Sequence, residues 1–226
     1  MEIKILSALK GIQFIPVSEY IHVVIDILRA SSTILCLMEN GAEEVKVVGT
    51  PEEALHFKDK GYILVGERGD QFLEGFDFDN SPYAVKQYCW QGKLVVVTTT
   101  NGTRALYAVR QGFEVLVGGF RNISAVAKYL KERDHPVAII PIGNLSEPRI
   151  EDELCAIALR SLIQGKAVEW ETIIREIMEE KANKIHRLGE NYRKDVEISL
   201  TVDATRIIPT LGRDLILYRR EYDDRS

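Results

Sequence analysis

Ile21-His22-Val23-Val24-Ile25-Asp26-Ile27 is the stretch on which the fold turns. A short β-branched apolar run without polar alternation reads as a strand buried on both faces. An acid stands at its end, and Ser32–Asn40 then continues with helical spacing until Gly41 stops it. Strand, acid, polar turn, helix: that order is the unit of a parallel sheet covered by helices.

The same unit recurs outward from it. Glu44–Val48 reads as a strand, and Thr50-Pro51-Glu52-Glu53 then supplies an N-cap, a proline at the first helical position and first-turn acids. Tyr62–Gly66, Leu94–Thr98, Val115–Val117 and Val137–Ile142 complete the expected strands. Helices are expected over Ala84–Tyr88, Thr103–Gln111, Ser124–Arg133, Asp152–Gln164 and, in one long charged pattern, Val168–Leu188. Val196–Tyr218 mixes strand-like runs with Pro209 and Gly212. The expected fold class is a three-layer α/β/α arrangement with a largely parallel or mixed sheet. It forms a single domain over residues 1–226, closed by a mixed excursion from about residue 166, because no Gly/Ser/Pro-rich linker intervenes.

Composition excludes several function classes. The chain has 226 residues, 29 basic and 34 acidic, for a net charge of −5, so no basic footprint for nucleic acid or an anionic membrane exists. The 46% hydrophobic content is ordinary for a globular protein. No run approaches about 18 apolar residues and no basic segment precedes an apolar N-terminal stretch, so a cytoplasmic protein is expected. Cys36, Cys89 and Cys155 make no CxxC pair and read as buried structural thiols. Cys155 is followed by Arg160 one residue too early for a cysteine-phosphatase loop. The four histidines form neither HxH nor HExxH, which disfavours a zinc hydrolase, and His22 reads as a packed strand residue. Walker A, GxGxxG and GxSxG are absent. The DxDxT pattern fails because Leu28 stands where a second Asp belongs.

Ligands of open α/β sheets gather beyond the carboxyl ends of strands, where helix N-termini present free N–H groups. Four segments fall there. In Val24–Thr33, Asp26 suits a hard cation and Arg29 suits bidentate contact with an anion. Ser31, Ser32 and Thr33 offer either an N-cap or further anion contacts. In Val97–Ala105, Asn101-Gly102 is a tight-turn dipeptide whose amides can converge on an anion. Thr99, Thr103 and Arg104 surround that turn. The loop from Gly66 to Pro82 carries five acids, Glu67, Asp70, Glu74, Asp77 and Asp79. Long ordered loops of this kind are usually functional. Glu67, at a strand end, is the best candidate in it; Asn80-Ser81-Pro82 either joins the site or caps the next helix. Last, Pro141–Asn144 precedes Glu151-Asp152-Glu153, acids that suit a helix start and are candidate metal ligands opposite Asp26.

Together these segments resemble the 2-phosphosulfolactate phosphatase family: VIDILRASSTI at Val24–Ile34, GERG at Gly66–Gly69, GFDFDNSP at Gly75–Pro82, TTTNGTRAL at Thr98–Leu106 and EDELCA at Glu151–Ala156. The resemblance implies a Mg²⁺-dependent phosphatase of (R)-2-phospho-3-sulfolactate, on the route to coenzyme M, with a three-layer α/β fold. Asp70 replaces a glycine usual in GERGG, and Asp79 one usual in FDxGNSP, which bears on substrate choice more than on reaction class. The resulting expectation has Asp26, Glu67, Glu151 and Asp152 as metal ligands, with Asp26 and Glu67 catalytic. Arg29, Ser31, Ser32, Thr33, Asn80, Ser81, Thr99, Asn101, Gly102, Thr103 and Arg104 would bind the substrate. Direct attack by Asp26 on phosphorus is an open alternative. So is a phosphatase of another small anionic ester, or a non-catalytic binder of an anionic metabolite. A homo-oligomer contact on the Val168–Leu188 helix also stays open.

Overall fold

The structure, a computed structural model, describes residues 1–6, 9–69, 71–143 and 149–222. Asp70 and Asn144 lie outside the described residues. The first half runs β1 (Ile3–Ile5), β2 (Ile21–Ile25), α1 (Ala30–Glu39), β3 (Glu44–Val47), α2 (Pro51–Leu55), β4 (Ile63–Arg68), β5 (Gln71–Phe72), α3 (Pro82–Lys86) and β6 (Leu94–Thr98). The second half runs α4 (Gly102–Ala108), β7 (Glu114–Gly118), α5 (Ile123–Lys131), β8 (Val137–Pro141), α6 (Ile150–Ile163), α7 (Trp170–Leu188), α8 (Glu190–Ser199), β9 (Ile207–Leu211) and β10 (Ile216–Glu221).

The strands form one mixed sheet in the order β1-β8-β2-β7-β9-β10-β3-β6-β4-β5. Neighbours within β1-β8-β2-β7 and within β3-β6-β4 are parallel. Between the two blocks, β9 and β10 pair antiparallel with each other and with their outer neighbours. The blocks therefore run in opposite senses. Adjacent strands rotate by roughly 20–25°, so the five steps from β2 to β6 accumulate a large turn. The turns after β2 and β6 meet, and α4, which follows β6, packs on β2.

Helices cover both faces, as the continuous apolar strands require. On one face Val24, Val97, Val117 and Ile140 pack with Ile34 and Leu37 of α1 and Leu106 of α4. On the other, Val23, Ile25 and Ile139 pack with α5, α6, α7 and α8, while Leu64 and Val96 pack with Ala54 of α2. Thr50 caps α2 as its sequence predicts, its side chain accepting from Glu53 N at 3.1 Å. No described helix is long and apolar enough to cross a membrane.

The C-terminal region departs most from expectation. Gly189, at φ +82°, ends the long charged helix, and a further helix, α8, follows where none was expected. The strand-like residues after it form the hairpin β9–β10 in the middle of the sheet, not at its edge. Pro209 is tolerated there because the β9–β7 register is limited to Leu116↔Thr210. His22 is a packed strand residue: it is buried, and its Nε2 lies 2.8 Å from Val17 O. Of the cysteines, Cys36 and Cys155 are buried, but Cys89, in the turn after α3, is exposed.

Candidate active site

Four strand-to-helix turns meet in a pocket of about 230 Å³ lined by Asp26, Arg29, Glu67, Asn80, Asn101, Arg149 and Asp152, with Leu28, Gly69, Thr100 and Gly143 between them. The turn after β2 is knotted by its own hydroxyls. Ser31 Oγ accepts from Asp26 N at 2.9 Å, Ser31 N donates to Asp26 O at 2.8 Å, and Ser32 Oγ donates to Ile27 O at 2.8 Å. Thr33 is fully buried. None of the three hydroxyls lines the pocket or caps α1. The bonds of Ser31 and Ser32 tie the turn from which Asp26 and Arg29 reach the pocket, while the Thr33 hydroxyl is buried without a hydrogen-bond partner.

The turn after β6 works the same way. Thr103 N donates to Thr99 Oγ1 at 3.1 Å, while Thr99 N donates to Thr103 Oγ1 at 3.0 Å. Thr100 N and Oγ1 donate to the two oxygens of Glu67 at 2.8 and 2.9 Å. Of the amides expected to converge on an anion around Asn101-Gly102-Thr103, that of Thr103 is thereby engaged within the protein, as are those of Thr99 and Thr100 before it. Gly102 lies against the β2 turn: a Cβ there would stand 2.6 Å from Ala30 Cβ and 2.7 Å from Asp26 Oδ2. Only glycine lets the two turns approach this closely. Arg104 is exposed and outside the pocket, because the helical period buries Gly102, Thr103, Ala105 and Leu106 instead.

In the acidic loop, Asp77 Oδ2 accepts from Leu64 N at 2.9 Å, a structural role, and Glu74 is exposed. Phe78 packs on Tyr88 and Trp90, anchoring the loop at ring distances of 5.2 and 5.1 Å. Ser81 caps α3, accepting from Ala84 N at 3.0 Å, and lies away from this pocket, whereas Asn80 lines it. Asp79 stands 3.4 Å from Arg29 Nη1, and burial still raises its carboxyl above the ordinary range against that arginine's pull.

The α6 acids separate. Asp152 lines the pocket, Oδ1 accepting from Ile27 N at 2.7 Å and Oδ2 from Gly143 N at 2.9 Å. Glu151 is fully buried behind it, with Oε2 2.7 Å from Lys181 Nζ of α7, and does not reach the pocket. Two residues escaped the sequence reading. Arg149, at the N-cap position of α6, lines the pocket, and its charge acts on Asp26. Its only signal was its place just before the acidic cluster. Asp195, in α8, is buried and bonded to Arg29. Nothing in that charged stretch marked it.

Burial first, and then the negative charge of Glu67, pushes the Asp26 carboxyl from 3.8 up to about 7, against the opposing pull of the Ala30 N–H and Arg149. Asp152 is also held well above its ordinary range, by burial and then by Asp26. Carboxylates that disfavour one another's ionisation call for a cation. The Oδ1 atoms of Asn80 and Asn101, on the same wall, are buried without a hydrogen-bond partner. This all-oxygen donor set fits a hard divalent ion. Among the described residues no three His, Cys, Asp or Glu side chains surround one point.

An α/β sheet with acids and arginines gathered at its strand ends is the build of an enzyme acting on a small anion. The family described as 2-phosphosulpholactate phosphatase matches residues 10–214. A protein of Thermotoga petrophila named probable 2-phosphosulfolactate phosphatase is 35% identical over 216 residues, 90% of this chain and 94% of its own. One of Methanothermobacter thermautotrophicus, named 2-phosphosulfolactate phosphatase, is 32% identical over 83% of this chain and 84% of its own. One of Caldicellulosiruptor saccharolyticus, named as probable, reaches 42% over 59% and 58%. The chain belongs to the 2-phosphosulpholactate phosphatase family and is a phosphoester hydrolase.

Proposed function

We propose that the chain hydrolyses 2-phospho-3-sulfolactate to 3-sulfolactate and phosphate with Mg²⁺ as cofactor. The observation that carries this reading is one small pocket in which three buried acids, Asp26, Glu67 and Asp152, face two arginines, Arg29 and Arg149. A binder of anions alone gains nothing from such acids. The names of the relatives support the substrate.

Asp26 with Glu67 or Asp152 would hold Mg²⁺, and Asn80 and Asn101 offer it neutral oxygens. Bound there, the ion supplies Lewis-acid polarisation of a phosphoryl oxygen. Arg29 and Arg149 bind the remaining phosphoryl oxygens and offset the charge that grows on them. Without the ion, burial and Glu67 hold the Asp26 carboxyl near 7; holding the ion it would be ionised, its carboxylate accepting a hydrogen bond from the attacking water, whose proton passes to the leaving alkoxide. Asp152 is fixed at both oxygens by backbone N–H groups and serves as a rigid wall. The enzyme should prefer 2-phospho-3-sulfolactate over 2-phospholactate by at least about tenfold in kcat/KM, and EDTA should remove the activity with Mg²⁺ restoring it. Activity untouched by EDTA would remove the cofactor from the reading, and equal turnover of both esters would remove the substrate.

A further inference from the structure

Arg29 does not stand alone at the pocket edge. Asp195, buried in α8, has a separate task at each carboxylate oxygen. Its Oδ1 accepts from Ser81 Oγ at 2.6 Å and from Tyr83 N at 2.9 Å, tying α8 to the start of α3. Its Oδ2 accepts from Arg29 Nη1 at 3.0 Å. Asp79 meets that same nitrogen at 3.4 Å, and the Arg29 side chain lines the reaction pocket. A second cavity, which also borders Arg29, is lined by Asp195, Tyr83 and the α7–α8 corner at Arg187 and Asn191. Arg29 thus lines both cavities, and Asp195, which lines the second, bonds it there. Gly189 makes this possible: its positive φ turns the chain out of α7, so that α8 returns onto α3.

We infer that Asp195 is a positioning residue for the reaction, orienting Arg29 toward the phosphoryl group, and that the C-terminal helices therefore complete the site. This rests on the reading that Arg29 binds phosphate. A flexible arginine loses more freedom on binding an anion than one already held, and a fixed fork keeps its geometry as charge develops. The two oxygens make the idea separable from a structural role. In Asp195→Asn the amide oxygen can keep the Oδ1 contacts with α3, while the NH₂ group turns a donor toward Arg29.

The experiment measures kcat/KM for 2-phospho-3-sulfolactate and the Kd of inorganic phosphate in wild type, Asp195→Asn, Arg29→Gln and the double variant, with far-UV circular dichroism as the fold control. Asp195→Asn is expected to weaken phosphate binding and kcat/KM by roughly tenfold or more, as loss of a charge-assisted contact does. The same change in the Arg29→Gln background should add less than about twofold, because coupled residues are not additive. Fully additive losses, or wild-type phosphate affinity in a folded Asp195→Asn protein, would overturn the assignment. If Asp195→Asn does not fold, Arg29→Gln alone decides: a lowered Tm with unchanged phosphate affinity makes the pair structural and refutes positioning. If the wild type hydrolyses no phosphoester, the functional reading fails by itself, and the phosphate affinities still judge Asp195.

Discussion

Asp26, the residue to which the proposed chemistry is assigned, takes its acidity from where it is buried. Its carboxyl, at 3.8 in water and about 7 here, makes the metal-free fold favour the protonated form. The raised value gives a stabilising contribution that is full below pH 4 and is lost as the pH rises through 7. Asp152 adds to it in the same direction. Asp26→Asn should therefore raise the Tm of metal-free protein at pH 8 by a few degrees, about 2–4 °C per kcal/mol at this size. At about pH 4 and below it should change the Tm little, with a partial rise at pH 5, and differential scanning calorimetry at pH 8 and about pH 4 reads the contrast. The same variant should lose at least about a hundredfold in turnover. Residue types at strand ends made Asp26, Glu67, Asn80, Asn101 and Asp152 legible in the sequence, since acids and turn amides there have few other uses. The hydroxyls were not sortable that way. Ser31, Ser32, Thr99 and Thr103 look like anion contacts in a string of letters, yet their geometry spends them on the turns. Arg149 and Asp195 were hidden because an arginine before acids, or an acid in a charged helix, is the ordinary surface pattern.

At the scale of elements, the site exists because the turns after β2 and β6 touch at Gly102. Gly102→Ala should displace Asp26 Oδ2 or Ala30 and lower kcat by about ten- to a hundredfold. Its stability cost should be about 1–3 kcal/mol, as for an overpacked core; kinetics and urea melts check the two halves. The pairing of α6 with α7 rests on a buried charge. Lys181→Met leaves Glu151 buried and unpaired, at a cost of about 3–5 kcal/mol in urea unfolding. Most strands and helices of the first 165 residues were readable from period and capping, with ends displaced by up to three positions, but the short strands β1 and β5 were not expected. Helix α8 was not, because its polar stretch takes helical form by packing on α3 and α7.

For the whole molecule, the sequence pattern announced parallel units but not their opposition. Two parallel blocks facing opposite ways, bridged by a C-terminal hairpin, is a long-range arrangement set by β9 and β10, whose partners lie far away in the chain. That bridging turns the blocks so that acids from one, Asp26 and Asp152, meet Glu67 and Asn101 from the other. The pocket is thus assembled between two half-sheets, and the proposed function places an anionic ester and a divalent ion in it. The direct measurement is inorganic phosphate released from 2-phospho-3-sulfolactate by the wild type and by Asp26→Asn, each with excess Mg²⁺. Multiple turnovers by the wild type and background release by the variant are expected. Equal release from both, or none from the wild type, would contradict the assignment of this pocket as the site of phosphoester hydrolysis.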